Sequence, residues 1–438
     1  MSEFPQEKTE LGNYFVANYP PFSFWKPDFL PEAYRVLNSP SLPETPLGLY
    51  AHIPFCRKRC KFCYFRVYTD KNAKDVDNYL DALIHEFSLC SQLPVRSGRD
   101  LKFVYIGGGT PSYLSVQQLE KLFNGLKDSF TLKSAEEVTF ECEPGTLQQH
   151  KLAALREMGV TRLSLGVENF DDEVLETNGR AHHSQEILKA YGWAKDLNFP
   201  LINIDLIAGM VGETTENWKS CIKKTIEIAP DCITIYQMEL PFNTVFSREL
   251  KQVDHPDPIS VSDWPTKRGW VKYAFETLME NGYEISSAYT LVRTSSKAKF
   301  VYRDELWHGA DMFGTGVASF GHINGMHLQN LDIWENYLSE LQKGHIPLAR
   351  ALPVSDHQKL IREMILQLKT GRLESAYFDK KFNVQILKDF QPQWESLNKE
   401  GWITLGKDSV QVNIDGLMQV DRLLPRFFEP SHLGARYT

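Results

Sequence analysis

Short apolar runs alternate with amphipathic stretches through most of this chain. From Leu47 onward the runs read LGLYAHIPF, LKFVYIGGG, EVTFECEP, RLSLGVEN, LINIDLIAGM and CITIYQMEL, with a seventh candidate at YEISSAY. Between them lie segments such as DVDNYLDALIHEFSLCSQL, SVQQLEKLFNGLKDSF and TTENWKSCIKKTIEIA, whose apolar residues recur at helical spacing. Runs that are apolar throughout, rather than at every second position, belong to strands buried on both faces. The pattern therefore predicts an α/β protein with a parallel sheet and helices outside, as a barrel or as an open doubly wound sheet. In such folds functional groups gather at the C-terminal ends of the strands, and here CRKRCKFC, GGGTPS, ECEPGT, GVENFD and Asp205 with AGM follow five successive runs.

The flanks differ from this rhythm. Residues 1–45 are rich in proline and aromatics (NYPPFSFWKPDFLPEAY) and predict an irregular arm rather than a helix. The alternating core spans 46–300. A Gly-rich segment over 301–350, containing GADMFGTGVASFGHINGMHLQN, is expected to complete the active site. The order helix, helix, two short strands, helix over 351–438 suits a smaller helical, winged-helix-like domain.

Composition narrows the class. The 438 residues are 42% hydrophobic and 24% charged, enough for one large core and a satellite. A net charge of -8 argues against nucleic acid as a partner, because phosphate-backbone binding needs a basic excess. No apolar run approaches membrane-span length and MSEFPQEKTE lacks signal-peptide character, so the expected location is cytoplasmic.

Seven cysteines do not make a disulfide framework when four (Cys90, Cys142, Cys221 and Cys232) sit singly in apolar patterns. The other three, Cys56, Cys60 and Cys63, crowd into one loop with spacing C-x3-C-x2-C. Zinc would need a fourth ligand, such as His52. Three thiolates can instead hold three irons of a cubane iron–sulfur cluster and leave the fourth open. The neighbouring Arg57, Lys58, Arg59 and Lys61 are expected to favour the thiolate form and to receive an acidic electron donor.

C-x3-C-x-aromatic-C after a first strand, with Phe62 in the aromatic slot, resembles the radical S-adenosylmethionine (SAM) superfamily. Together with GLYAHIPFC, YIGGGTPS, FECEPGT, RLSLGVENFDDEVLETNGR and NIDLIAGM, it resembles the oxygen-independent coproporphyrinogen III oxidase family from about residue 47 to at least 370. The resemblance implies a partial (β/α)6 TIM-like barrel, a 4Fe-4S cluster on Cys56, Cys60 and Cys63, and reductive cleavage of SAM to a 5′-deoxyadenosyl radical. It implies SAM contacts from Gly107, Gly108 and Gly109, with Thr110 beside them, and from Glu141, Glu168, Arg180 and Asp205. Tyr50, Phe62, Phe65 and Met238 are expected beside the cofactors, the last closing the sixth strand where adenine packs. A flavodoxin or ferredoxin would be the donor, and a tetrapyrrole or quinone-like molecule the substrate.

The chain departs from the family at informative places. Phe65 stands where the oxidases carry a further cysteine, Glu168 replaces the Gln of GVQ, and Tyr302 and Arg303 stand where haem chaperones carry His-Asn. GYEISSAYTLVR and the Gly-rich segment resemble the methyltransferase branch, which uses two SAM molecules on quinone or haem substrates. Gly314 and Gly316 would then make room for the second.

Overall fold

The continuous apolar runs become strands because both of their faces are covered. The structure is a computed structural model that describes residues 15–240, 244–249, 261–296 and 298–435. Six strands, β1 (Leu47–Ile53), β2 (Leu101–Gly108), β3 (Glu137–Cys142), β4 (Arg162–Glu168), β5 (Leu201–Ala208) and β6 (Cys232–Gln237), lie side by side in chain order, and each neighbouring pair is parallel. Parallel neighbours require crossovers, and helices Ala73–Ser91, Val116–Ser129, Gln149–Met158, Ser184–Asp196 and Thr215–Ile228 supply them. Two of these helices begin at capping boxes, Asn72 with Asp75 and Ser115 with Gln118, so their first-turn N–H groups are satisfied locally.

The seventh run departs from expectation. It forms β7 (Tyr283–Ser287), which turns directly into β8 (Thr290–Arg293), and β8 pairs antiparallel with β6. Two intervening residues cannot make a crossover, so a hairpin is the only connection available. The Gly-rich segment contributes β9 (Asp311–Thr315), parallel to β1, then β10 (Phe320–Ile323), β11 (Met326–Asn330) and β12 (Leu348–Pro353) as an antiparallel meander. Sheet order is β12-β11-β10-β9-β1-β2-β3-β4-β5-β6-β8-β7, so the α/β sheet is mixed and has two open edges, as in a partial barrel.

Gly314 lies in β9, where a Cβ would lie 2.0 Å from the Phe320 carbonyl oxygen, and Gly316 donates its N–H to the buried Glu86 carboxylate at 2.8 Å. The N-terminal arm also differs from expectation, because Leu30–Leu37 is helical. Its Pro31 falls in the first turn, where a missing N–H costs nothing. Beyond helix Asp356–Leu368, three short strands, β13 (Arg372–Glu374), β14 (Ile403–Leu405) and β15 (Ser409–Val412), pair antiparallel in the order β13-β15-β14. One of them, β13, had no counterpart in the sequence pattern. Among the described residues no helix is long and apolar enough to cross a membrane.

A buried ion pair ties this C-terminal part to the arm. Lys369 Nζ lies 2.9 Å from Asp421 Oδ1 and donates to the Val16 carbonyl at 2.7 Å, while Val16 N–H donates back to Asp421 at 2.9 Å. The Lys369 side chain is fully buried, so its removal strands the carboxylate of Asp421 without a counter-charge. Lys369→Met is expected to cost about 3 kcal/mol in urea unfolding.

Candidate functional site

The cysteine loop leaves β1 and returns to its own stem. Cys56 N–H donates to the Tyr68 carbonyl at 3.0 Å and Tyr68 N–H to that of Pro54 at 2.7 Å. Two further backbone bonds fix the loop from outside, Lys61 N–H to Asn178 O at 3.1 Å and Phe246 N–H to Lys61 O at 3.2 Å. Cys56, Cys60 and Cys63 are thereby held half-buried along one wall of a cavity of about 420 Å³.

That cavity sits at the C-terminal ends of all six parallel strands. Cys56, Cys60, Phe62, Cys63 and Phe65 line it from the loop, Gly108, Gly109 and Thr110 from β2, and Glu141 from β3. Glu168 and Arg180 enter from β4 and the segment after it, Asp205 from β5 and Met238 from β6. Gly107 and Tyr50 stand outside the lining. Tyr50 donates to or accepts from His52 Nδ1 at 3.0 Å and stacks on Tyr105 at 5.9 Å.

Small residues make the loop's approach feasible. A Cβ on Gly109 would lie 3.0 Å from Cys56 Sγ and 2.8 Å from the Phe55 carbonyl oxygen. Gly108 has φ +120°, and a Cβ there would meet the His52 ring at 2.6 Å. Thr110 Oγ1 donates to Cys56 Sγ at 3.4 Å and Arg180 Nη1 to Cys60 Sγ at 3.2 Å.

Burial pushes the Cys56 thiol up to about 12 and the Cys63 thiol up to about 11; Arg59 favours the thiolate of Cys63, as its place in the basic run suggested, and Arg180 that of both, without outweighing burial. The basic residues also make contacts of their own. Arg57 lies 3.5 Å from Glu143 and reaches the Ala181 carbonyl, Arg59 donates to Cys63 O at 3.2 Å and Phe65 O at 3.4 Å, and Lys61 covers the Phe246 ring at 5.3 Å. Three sulfurs that attach to different irons of a cubane stand further apart than the donors of one ion. Among the described residues, no three His, Cys, Asp or Glu side chains are close enough to hold a single metal ion, so the donor set fits a cluster better than zinc with His52.

Opposite the sulfurs lie carboxylates. Glu141 accepts from Tyr105 Oη at 2.7 Å and Gly108 N–H at 2.9 Å, and burial holds its carboxyl up at about 7. Glu168 has a left-handed backbone (φ 63°); burial pushes its carboxyl up to about 7, although Arg180 lies 3.5 Å away. Asp205 is also raised by burial, and it accepts from Ser164 Oγ at 2.8 Å and Asn203 Nδ2 at 3.0 Å. Residues that sequence reasoning missed complete the site. Glu143 lies in the quoted ECEPGT and bonds to His182 Nδ1 at 3.2 Å. Tyr105 shares a strand face with Gly107, a period of two that could have flagged it. Glu239 follows Met238, and Tyr236 falls in the Ile235–Met238 stretch already expected to pack adenine, whereas Phe15, from the distant arm, gave no signal.

Comparison with known proteins agrees with this geometry. Residues 50–224 match the Radical SAM superfamily. The chain is 27% identical over 393 residues to oxygen-independent coproporphyrinogen III oxidase of Escherichia coli (strain K12), covering 86% of this chain and 84% of that protein. It is 30% identical over 350 residues to the heme chaperone HemW of Lactococcus lactis subsp. lactis (strain IL1403), covering 79% of this chain and 84% of that protein. The solved structure of coproporphyrinogen III oxidase (HemN) from Escherichia coli, described as a radical SAM enzyme, superposes with a TM-score of 0.82 at 25% identity, over 94% of this chain and 96% of that one. The cofactors of such proteins are a 4Fe-4S cluster and SAM.

The raised carboxyl groups give the ligand-free fold a pH dependence. Glu141 shifts from 4.5 to about 7 on folding, so between these values the folded chain keeps a proton that the unfolded chain releases. Stability contributed by this group is present below pH 4.5 and falls as pH rises toward 7. Thermal unfolding of the ligand-free protein should show that decline, and Glu141→Gln, whose amide oxygen can accept from Gly108 N–H while its NH2 donates to Tyr105 Oη, should make it shallower.

Proposed function

Because this chain belongs to the radical SAM superfamily, in the family that holds both oxygen-independent coproporphyrinogen III oxidases and heme chaperones, we propose that it is a cytoplasmic enzyme that cleaves SAM to oxidise a large, planar, tetrapyrrole-type substrate. Cys56, Cys60 and Cys63 would hold the 4Fe-4S cluster. Bound there, such a cluster would supply one-electron reduction of the SAM sulfonium, the chemistry by which hydrogen can be taken from an unactivated carbon.

The observation that carries this reading is the convergence of the three loop thiols with Arg180 and the carboxylates of Glu141, Glu168 and Asp205 on a single cavity. Arg180 would pair with the SAM carboxylate, and its existing bond to Cys60 Sγ keeps that cation beside the cluster loop. Glu141, Glu168 and Asp205 are acceptors suited to ribose hydroxyls and to an ammonium group. Gly108 and Gly109 let backbone groups approach the ligand where a side chain would collide. Half-burial of the loop limits water around the cysteines, which protects a reactive radical from side reactions.

The test is anaerobic cluster reconstitution followed by incubation with SAM, dithionite and coproporphyrinogen III. Formation of 5′-deoxyadenosine together with loss of substrate carboxyl groups is expected, and Cys60→Ala should lower nucleoside formation by at least about 100-fold, since the cofactor carries the hard chemistry. S-adenosylhomocysteine appearing beside the nucleoside would replace oxidation with methyl transfer. Haem binding without any SAM cleavage would replace both with a carrier role.

A further inference from the structure

Behind the cavity wall lie buried polar side chains that do not reach it. Ser164 and Asp205 line the cavity, whereas Asn203 and Thr234 do not and are only 1% and 5% exposed. Strand register brings the four together. Ser164 of β4 stands opposite Asn203 of β5, and Asp205, two residues further on, stands opposite Thr234 of β6. An aliphatic side chain would fill the position of Asn203 without the cost of burying an amide, so the polar group calls for a reason.

The hydrogen bonds among the four run in one direction. Asn203 Nδ2 lies 3.0 Å from Asp205 Oδ1 and 2.9 Å from Ser164 Oγ, so both of its N–H groups are donated. Turning the amide over would set its carbonyl oxygen against the carboxylate, and Thr234 Oγ1, donating to Asn203 Oδ1 at 3.0 Å, holds the opposite orientation. Ser164 Oγ accepts from Asn203, which turns its own hydrogen toward Asp205 Oδ2 at 2.8 Å. Each oxygen of Asp205 is thus fixed by a donor from the protein. Burial raises this carboxyl, while Ser164, Arg162 and Asn203 act to keep it ionised. An ionised carboxylate has only acceptor positions left to offer the cavity, and sugar hydroxyls are donors that match them.

We propose that Asn203 is a positioning residue for nucleoside binding: held by Thr234, it orients Ser164 and Asp205 so that the remaining lone pairs of Asp205 receive a ribose hydroxyl of SAM. The proposal rests on the enzymatic reading above and extends that site to two residues that never meet the ligand. A packing role alone would require only that the four groups satisfy one another.

Calorimetric titration of the cluster-loaded protein with S-adenosylhomocysteine and its 2′-deoxy and 3′-deoxy analogues separates the two roles. Wild type should bind at least one deoxy analogue about tenfold more weakly than the parent, the loss expected for a hydrogen bond to a charged group. Asn203→Leu should weaken the parent about tenfold and the near-isosteric Thr234→Val about threefold, with that analogue nearly unaffected in both. Thr234→Ser, which keeps the hydroxyl, should retain wild-type binding. With SAM and dithionite the two weakened variants should raise KM by the same factors and change kcat by less than about twofold, because the contact is made before and during cleavage alike. Equal losses for parent and analogues, unchanged binding of the parent in both variants, or a wild type indifferent to both hydroxyls would overturn the role. Iron content and thermal unfolding identify a variant that has not folded, and Thr234→Val carries the test where Asn203→Leu fails to fold. Wild type that cleaves SAM without hydroxyl dependence removes the positioning role and leaves the enzymatic reading intact; hydroxyl-dependent binding that the variants lose, without cleavage, does the reverse.

Discussion

A single buried guanidinium couples the cysteine loop to the sheet. Arg180 donates to Cys60 Sγ at 3.2 Å and to the Gly166 carbonyl at 2.7 Å, and lies 3.5 Å from the Glu168 carboxylate. Its side chain is only 11% exposed, so the charge must be matched inside the protein or not be there at all. Each partner belongs to a different part of the site: the loop, the end of β4, and the acidic wall. Removing any one of them leaves the same cation short of compensation. Alongside the backbone bonds that hold the loop, this one solvation requirement links the loop, the left-handed turn at Glu168 and the acids beside it.

That requirement also sorts the charges within the cavity. Burial acts to raise the Glu143 carboxyl, but His182, Arg180 and Arg57 outweigh it and hold the group below the usual carboxylate range. Glu141, Glu168 and Asp205 are raised, first by burial, and repulsion from Asp205 adds to it at Glu141 and Glu168. A cationic sulfonium ligand would therefore meet a wall whose negative charge is held back until it arrives. The sulfur side is similar, since burial keeps Cys56 and Cys63 protonated and binding of a metal group must release those protons.

Much of this architecture was visible in the sequence because its cause is local or periodic. Continuous apolar runs marked β1 to β6, and the motifs at their ends foretold the cavity wall. The parts that were not visible depend on distant contacts. β11 reads as MHLQN, yet every residue in it is buried, because His327 bonds to the Tyr19 carbonyl at 2.9 Å and Asn330 to Glu86 at 2.6 Å. No window of sequence shows that a polar residue will find such a partner. The cluster loop shows the same division. RKRCK places cations beside cysteines in sequence, and Arg59 acts on Cys63 from there, whereas the cation that donates to Cys60 Sγ is Arg180, 120 positions away.

A shared fold and shared cofactor chemistry leave the choice of substrate to other residues. The floor of the cavity is made by strand ends and a loop that any SAM-cleaving relative needs, so it cannot distinguish an oxidase from a carrier. The mouth is built differently. Phe15 comes from the N-terminal arm, Tyr289 from the hairpin of β7 and β8, and their fixing partners Lys369 and Asp421 from the C-terminal part. Three segments outside the six parallel strands thus contribute to the entrance. Changes in them can alter what is admitted while leaving Arg180 and the cysteines undisturbed, so a family with one cofactor site can diverge in substrate without remaking its core.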